Sequence, residues 1–291
     1  MLDHLAAIIT DGILLGLIYA IAGLGLSLVL GIMGIVNVAH SAFIMLGSFF
    51  AFELFRRLGV DPIVSFFLAM PVFFLLGMIV YRTLLTRIGR VSQSQGLIAM
   101  FGLMVLIESL STIAWTTDTR VITASYTNTS LVLGTLYIAQ VKLIAGALAL
   151  ALTFLFWAFL RFTLIGRAIR AMGQNRDAAL SVGIDVRRLS AVVFGLGIAC
   201  AGAAGVVLAM IFPFSPNTQV QWLAWAFLVV ILGGLGSVAN TLIAGLIIGL
   251  LQSLSAALLP FDYVYLVLYV LLAVILVVRR EGLTRVVKRT I

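Results

Sequence analysis

Apolar and polar positions alternate in long blocks along the chain rather than residue by residue. Charge-poor runs lie at about residues 8–30, 41–55, 62–80, 96–116, 142–160, 190–211, 222–238, 240–259 and 262–279. Most approach the roughly 20 residues that a helix rising about 1.5 Å per residue needs to span a hydrocarbon layer of about 30 Å. Lipid offers no partners to backbone N–H and C=O groups, so such runs are expected to be helices. The pattern predicts an all-α, polytopic membrane bundle of about 8–9 transmembrane helices, a single domain over residues 1–291.

Two places break the regularity. The run 41–55 is short, about 22 Å as a helix at 1.5 Å per residue, and is expected to borrow length from the segment before it. That segment, GIMGIVNVAHSAF (31–43), sets Gly31, Gly34, Asn37, His40 and Ser41 between apolar helices. The pattern admits either a crossing or a re-entrant turn over 31–55. The second break, GGLGSVAN (233–240), divides a charge-free run. Both breaks carry glycines three apart, Gly31 with Gly34 and Gly233 with Gly236, followed by Val36 and Asn37 in one and by Val238 and Asn240 in the other. This is a hint of two related halves, and glycine-interrupted segments at corresponding positions point to a transport pathway. The stretch 117–141, rich in Thr and β-branched residues, reads as a short hairpin or lid, or as a plain solvated connector.

Composition agrees: 63% of residues are hydrophobic and only 10% charged. The net charge of +8 does not point to nucleic acid, because the basic residues sit between apolar runs rather than in one patch with interleaved aromatics. Arg82, Arg87 and Arg90 share one loop, six arginines lie from Arg161 to Arg188, and Arg279, Arg280, Arg285, Lys288 and Arg289 form the tail. Counting the crossings in order puts these on one side and only Arg56, Arg57, Arg120 and Lys142 on the other. The positive-inside rule then places the central loop and C-terminus in the cytoplasm and the N-terminus outside. The opening MLDHLAAIITDG lacks the basic region and small-residue cleavage site of a secretory signal and reads as the start of the first span. The single cysteine, Cys200, supplies neither a disulfide framework nor a metal cluster.

Within this apolar chain, GRAIRAMGQNRDAALSVGID (166–185) is a polar island. Asp177 is placed to cap a short helix through Ala178, Ala179 and Leu180, and Gly183 to close it in the left-handed conformation. Arg167, Ile169, Arg170 and Met172 give a basic, partly amphipathic approach. By composition alone this is a solvated loop with arginines near lipid headgroups.

Asp177-Ala178-Ala179-x-x-x-Gly183 resembles the Glu-Ala-Ala-x-x-x-Gly loop of ABC-importer permeases, with Asp in place of Glu. The whole island is similar to the corresponding loop in permease subunits of the branched-chain amino acid (leucine/isoleucine/valine) ABC transporters. Four further stretches carry the same resemblance: residues 16–49, where Asn37-Val38-Ala39-His40-Ser41 stands for a typical Asn-Phe-Ala-His-Gly; GLIAMFGLMVLIES (96–109); SLVLGTLYIA (130–139); and residues 227–254. The chain departs from the family at Ser41, at Glu108, where relatives often carry an amide, and at Asn240-Thr241 in place of Pro-Gly. These departures bear on which amino acid, amide or urea is carried.

The resemblance implies a permease in a bacterial inner membrane, moving branched-chain or related amino acids inward. ATP would be bound by two cytoplasmic ABC ATPase subunits, and no cofactor by this chain. Its other partners would be a homologous permease, or a second copy of itself, an extracytoplasmic substrate-binding protein and membrane lipid. It also implies a coupling loop at 161–189 carrying Gly166, Arg167, Arg170, Asp177, Ala178, Ala179 and Gly183. Asn37, His40, Glu108, Gly233 and Gly236 are the candidate pathway residues. Asn37 with His40 reads first as a structural pair in an unwound turn, and Glu108 has a second reading as a neutral acid bonded to a neighbouring helix. An acid within a span is a functional candidate, and Glu108 also supports an alternative, a proton-coupled secondary amino-acid transporter. Catalytic and metal patterns, including the Walker A loop, are absent from the sequence, so no enzyme is expected.

Overall fold

A computed structural model of the protein describes residues 2–87, 93–134 and 136–278. Each charge-poor run becomes a helix: α1 (Leu2–Met33), α2 (His40–Leu58), α3 (Pro62–Val80), α4 (Gln93–Trp115), α5 (Gln140–Phe162), α8 (Val186–Ile211), α9 (Gln219–Gly233), α10 (Val238–Leu258) and α11 (Phe261–Val278). Between α5 and α8 lie two short helices, α6 (Leu164–Gln174) and α7 (Arg176–Ser181). Among the described residues six helices are long and apolar enough to cross a membrane: α1, α3 with the π turn that follows it, α4, α5, α8 and α10. Arg90 and the basic tail, Arg279, Arg280, Arg285, Lys288 and Arg289, lie outside the described residues.

Two helices, α1 and α8, are buried over most of their length, and the others wrap them. Glycine permits the contacts. Gly12 and Gly16 of α1 lie against Gly249 and Gly245 of the antiparallel α10, where a Cβ on Gly16 would stand 2.6 Å from the Leu246 Cα. Gly195 of α8 faces Gly77 of α3, with a Cβ on Gly77 only 2.9 Å from the Gly195 Cα. Gly47 of α2 meets the Gly202 backbone of α8, and Ser48 Oγ donates to the Gly205 carbonyl at 2.7 Å. Apolar helices in lipid gain nothing from hiding greasy surface, so close packing of small residues and a few hydrogen bonds hold them together.

At the end opposite α6 and α7, polar residues tie the loops down. Asp61 caps α3 by accepting from Ile63 N at 2.8 Å and also accepts from the Tyr126 hydroxyl at 2.9 Å. Burial, and then the Asp61 carboxylate, push the Tyr126 hydroxyl well above its ordinary pKa. Lys142 pairs with Asp11, and Glu53 accepts from Trp115 Nε1 at 3.0 Å while pairing with Arg56 and Arg57. The region expected to form a hairpin does so: β1 (Ser130–Leu133) pairs antiparallel with β2 (Leu136–Ala139), Leu131 opposite Ile138.

A Gly16→Val substitution is expected to separate α1 from α10 and to cost more than about 2 kcal/mol, the range of overpacked cores. Gly102→Val, where a Cβ would meet nothing within 4 Å, should leave stability nearly unchanged. Thermal midpoints of the two variants in the same detergent check this.

Candidate functional site

Two regions carry the candidate residues, and the basic end of the bundle brings them close. The first is the polar island. Thr163 ends α5 and caps α6, accepting from Gly166 N at 2.9 Å while its hydroxyl donates to Phe159 O at 2.7 Å. The chain folds so tightly here that a Cβ on Gly166 would lie 2.5 Å from Leu160 O. Gly166 is thus a packing residue of the α5–α6 corner. Along α6, Gly166, Ile169 and Met172 are buried, while Arg167 and Arg170 face out. This one-sided pattern is the amphipathic stripe expected of a surface helix.

The cap of α7 differs from the expected one. Asn175, with extended backbone, accepts from both Asp177 N and Ala178 N at 3.0 Å, so Asn175 and not Asp177 is the N-cap. Asp177 instead occupies the first turn, where its charge complements the helix dipole. Two adjacent residues with cap-forming side chains compete for one position, and only the backbone conformation decides between them. The closure is as expected: Gly183 has φ +85°, its N–H bonds Leu180 O at 3.0 Å, and Ile184 N bonds Ala179 O at 3.1 Å. That pair of bonds is the Schellman arrangement.

The island's apolar residues divide in a way the sequence does not reveal. Ala179 is buried, packed with Ile169, Met172, Val186 and Leu189. Leu180 and Val182 are exposed, at 53% and 77%, beside the exposed Asp177 and Ala178. Leu180 of α7 and Val182, which follows its last residue, are therefore the large apolar side chains that a partner can reach, and sequence reading missed them. Two large apolar residues flanking Ser181, in a segment otherwise solvated, were the available signal.

The second region is the pair of glycine breaks. His40 Nε2 lies 2.9 Å from the carbonyl of Ala22, a bond that as drawn makes Nε2 the donor. A Cβ on Gly25 of α1 would touch both His40 and Cys200 of α8, so α2 begins at mid-height of both central helices. Ala22 stands about 16 Å from the Met33 end of α1 at 1.5 Å per residue. Residues 34–39 climb that distance without helix, and α2 continues to the far end. The segment 34–58 thus runs from the foot of α1 to the far end of the bundle in two pieces, the first non-helical. Non-helical backbone at this depth is tolerated only inside protein or beside a wet cavity. Here it is inside: Asn37 and His40 are fully buried. Both polar atoms of the Asn37 amide and Nδ1 of His40 have no hydrogen-bond partner.

The break between α9 and α10 abuts the first. Gly236 N donates to Ser27 O at 3.2 Å and Oγ at 3.1 Å, and Ser27 Oγ donates to Gly234 O at 3.3 Å. A Cβ on Gly31 would lie 2.5 Å from Gly236 N. Gly233 sits against the Asn240 carbonyl, and Ser237 caps α10 by accepting from Asn240 N at 3.3 Å. The structure therefore joins Gly31, Gly233 and Gly236 in one junction at the foot of α1, with Asn37 and His40 above it.

Glu108 is not brought there. It is half-buried on α4, whose inward stripe is Met100, Met104, Ile107 and Ser111 and whose main packing is against α2. Among the described residues no group of three His, Cys, Asp or Glu stands close enough to hold a metal.

An Asn175→Ala variant is expected to lose about 1 kcal/mol of local stability, as for other N-cap removals, and Asp177→Asn distinctly less. Amide hydrogen exchange across residues 176–182 reads the difference.

Comparison with known proteins closes the description. Residues 8–276 match the family model described as the branched-chain amino acid transport system permease component. The high-affinity branched-chain amino acid transport permease LivH of Escherichia coli K12 is 30% identical, over 94% of this chain and 93% of its own. The corresponding BraD of Pseudomonas aeruginosa is 25% identical, over 96% of this chain and 95% of its own. A shorter match, 33% identical over 30% of this chain and 26% of the other, is to a Methanocaldococcus jannaschii protein named as a probable branched-chain amino acid transport permease, LivM. No solved structure matches. With nearly the whole bundle inside the matched region, the chain belongs to the branched-chain amino acid transport permease family.

Proposed function

We propose that the protein is the membrane permease of an ABC importer that moves branched-chain or related amino acids inward. Two ATPase subunits on the side of α6 and α7 would hydrolyse the ATP. A substrate-binding protein would deliver cargo at the β1–β2 end, and a LivM-like permease or a second copy would complete the pathway. The basic residues gather at the α6–α7 end, which supports a cytoplasmic position for that end and for the C-terminus.

One observation carries the reading: α7, capped at both ends and seated on the bundle through Ala179, presents Asp177, Ala178, Leu180 and Val182 outward. A short rigid helix held from below and bare above is suited to transmit the movement of a docked partner. The junction of Gly31, Gly233 and Gly236 supports a role as the point where the pathway opens, since glycine backbones separate or close with little steric cost. Asn37 and His40, buried and incompletely bonded, are suited to brief contacts with a passing zwitterion. Proton coupling through Glu108 gains no support, since Glu108 stands half-buried on α4, away from the glycine junction.

The test is co-purification with the candidate ATPase pair. Leu180→Arg and Val182→Arg are expected to abolish association while leaving the permease folded, whereas Ala179→Arg, which buries a charge, should abolish folding itself. Uptake in proteoliposomes containing the binding protein should require ATP. Uptake driven by a proton gradient in the absence of any ATPase would sink the reading.

A further inference from the structure

At the basic end, α1, α5, α6 and the approach to α10 line a half-open cavity of about 440 Å³. Its lining contains Arg161, Arg170, Gln174 and Ser237 but no acidic residue. The five ion pairs among the described residues engage other cations, so neither arginine has a carboxylate partner there. Arg161 is held over the face of Trp157, 5.2 Å from the ring centroid, and 5.8 Å from that of Phe162. Cation–π contact of this kind orients a guanidinium without neutralising it. Trp157 and Phe162 lie in the last two turns of α5, where aromatic side chains mark the headgroup level of a membrane. Two uncompensated guanidinium groups around one cavity at that level call for an anion, and phosphate is the group whose oxygens the planar fork matches.

We propose that this cavity binds a phosphate group between Arg161 and Arg170, carried either by an anionic lipid of the adjoining leaflet or by a soluble phosphate compound. Basic pockets between membrane helices are a recurrent seat for such headgroups. A second basic cavity, lined by Arg82, Arg187 and Arg188, is less suited because Asp185 lies in its wall and pairs with Arg188. Occupancy would tie α6 to Gly236 and Ser237, linking the surface helix to the glycine junction. The inference uses the membrane placement of the bundle and does not depend on the proposed cargo.

The experiment uses the full-length chain, purified, stripped of lipid and exposed to vesicles of phosphatidylcholine alone or mixed with phosphatidylglycerol. Retained lipid is counted by mass spectrometry. Wild type is expected to keep phosphatidylglycerol in preference to phosphatidylcholine, and Arg161→Gln/Arg170→Gln to bind it roughly 30-fold more weakly. Arg161→Lys/Arg170→Lys, which preserves charge and guards against misfolding, should lose only a few-fold. Displacement by inorganic phosphate would assign the site to a soluble phosphate; resistance to it assigns the site to lipid. The proposal is overturned by equal retention of both lipids. It is also overturned if Arg82→Gln/Arg187→Gln weakens retention as much, or if the Gln pair loses ATPase association with lipid retention unchanged.

Discussion

Close approach of helix backbones at glycine is the contact on which the bundle rests. At Gly16 against Gly245, at Gly77 against Gly195 and at Gly47 against Gly202, a single added methyl would meet main-chain or Cβ atoms well inside contact distance. In water such helices would be driven together by burial of apolar area, but in lipid that drive is missing. Association then depends on how many atoms touch and on hydrogen bonds such as Ser48 to Gly205. Because α1 and α8 are approached so closely from several sides, they form a buried interior, like the core of a soluble protein.

That interior makes the first glycine break possible. Residues 34–39 abandon the helix beside the middle of α1 and α8, and only surrounding protein can compensate them. The compensation is incomplete at Asn37 and at His40 Nδ1. Buried polar groups without partners are uncommon in native structures and are retained where water, an ion or a ligand completes them.

After the variants above, the reach of sequence reading can be judged residue by residue. Helix positions were legible because charge interrupts each apolar run: α3 spans 62–80, as its run does, and α5 and α11 fall within two residues of theirs. The second break was legible from its glycines, and Gly183 from its place beyond the helix. Inward and outward faces were not legible in helices apolar all round, where no polar side marks the outside. On α4, for example, no pattern tells that Met104 and Ile107 face inward while Val105 and Leu106 face out. On α6, where Arg167 and Arg170 alternate with Ile169 and Met172, the faces could be read directly. The contact between Gly31 and Gly236 joins positions far apart in the chain, and no local pattern encodes it.

The surface helices and the interior break are mechanically adjacent. Ala179 of α7 shares a packed cluster with Ile169 and Met172 of α6, and with Leu24 and Leu28 of α1. Gly173 of α6 rests over Ile32, one residue from Gly31 and its contact with Gly236. A displacement of α7 therefore reaches the foot of α1 through side chains already in van der Waals contact, with no loop in between to absorb it. A dense interior transmits such a shift rather than damping it. Under the transport role proposed above, the glycine junction is the element suited to receive that movement. Its two backbones touch in the arrangement seen, and they can part without dragging bulky side chains through the core.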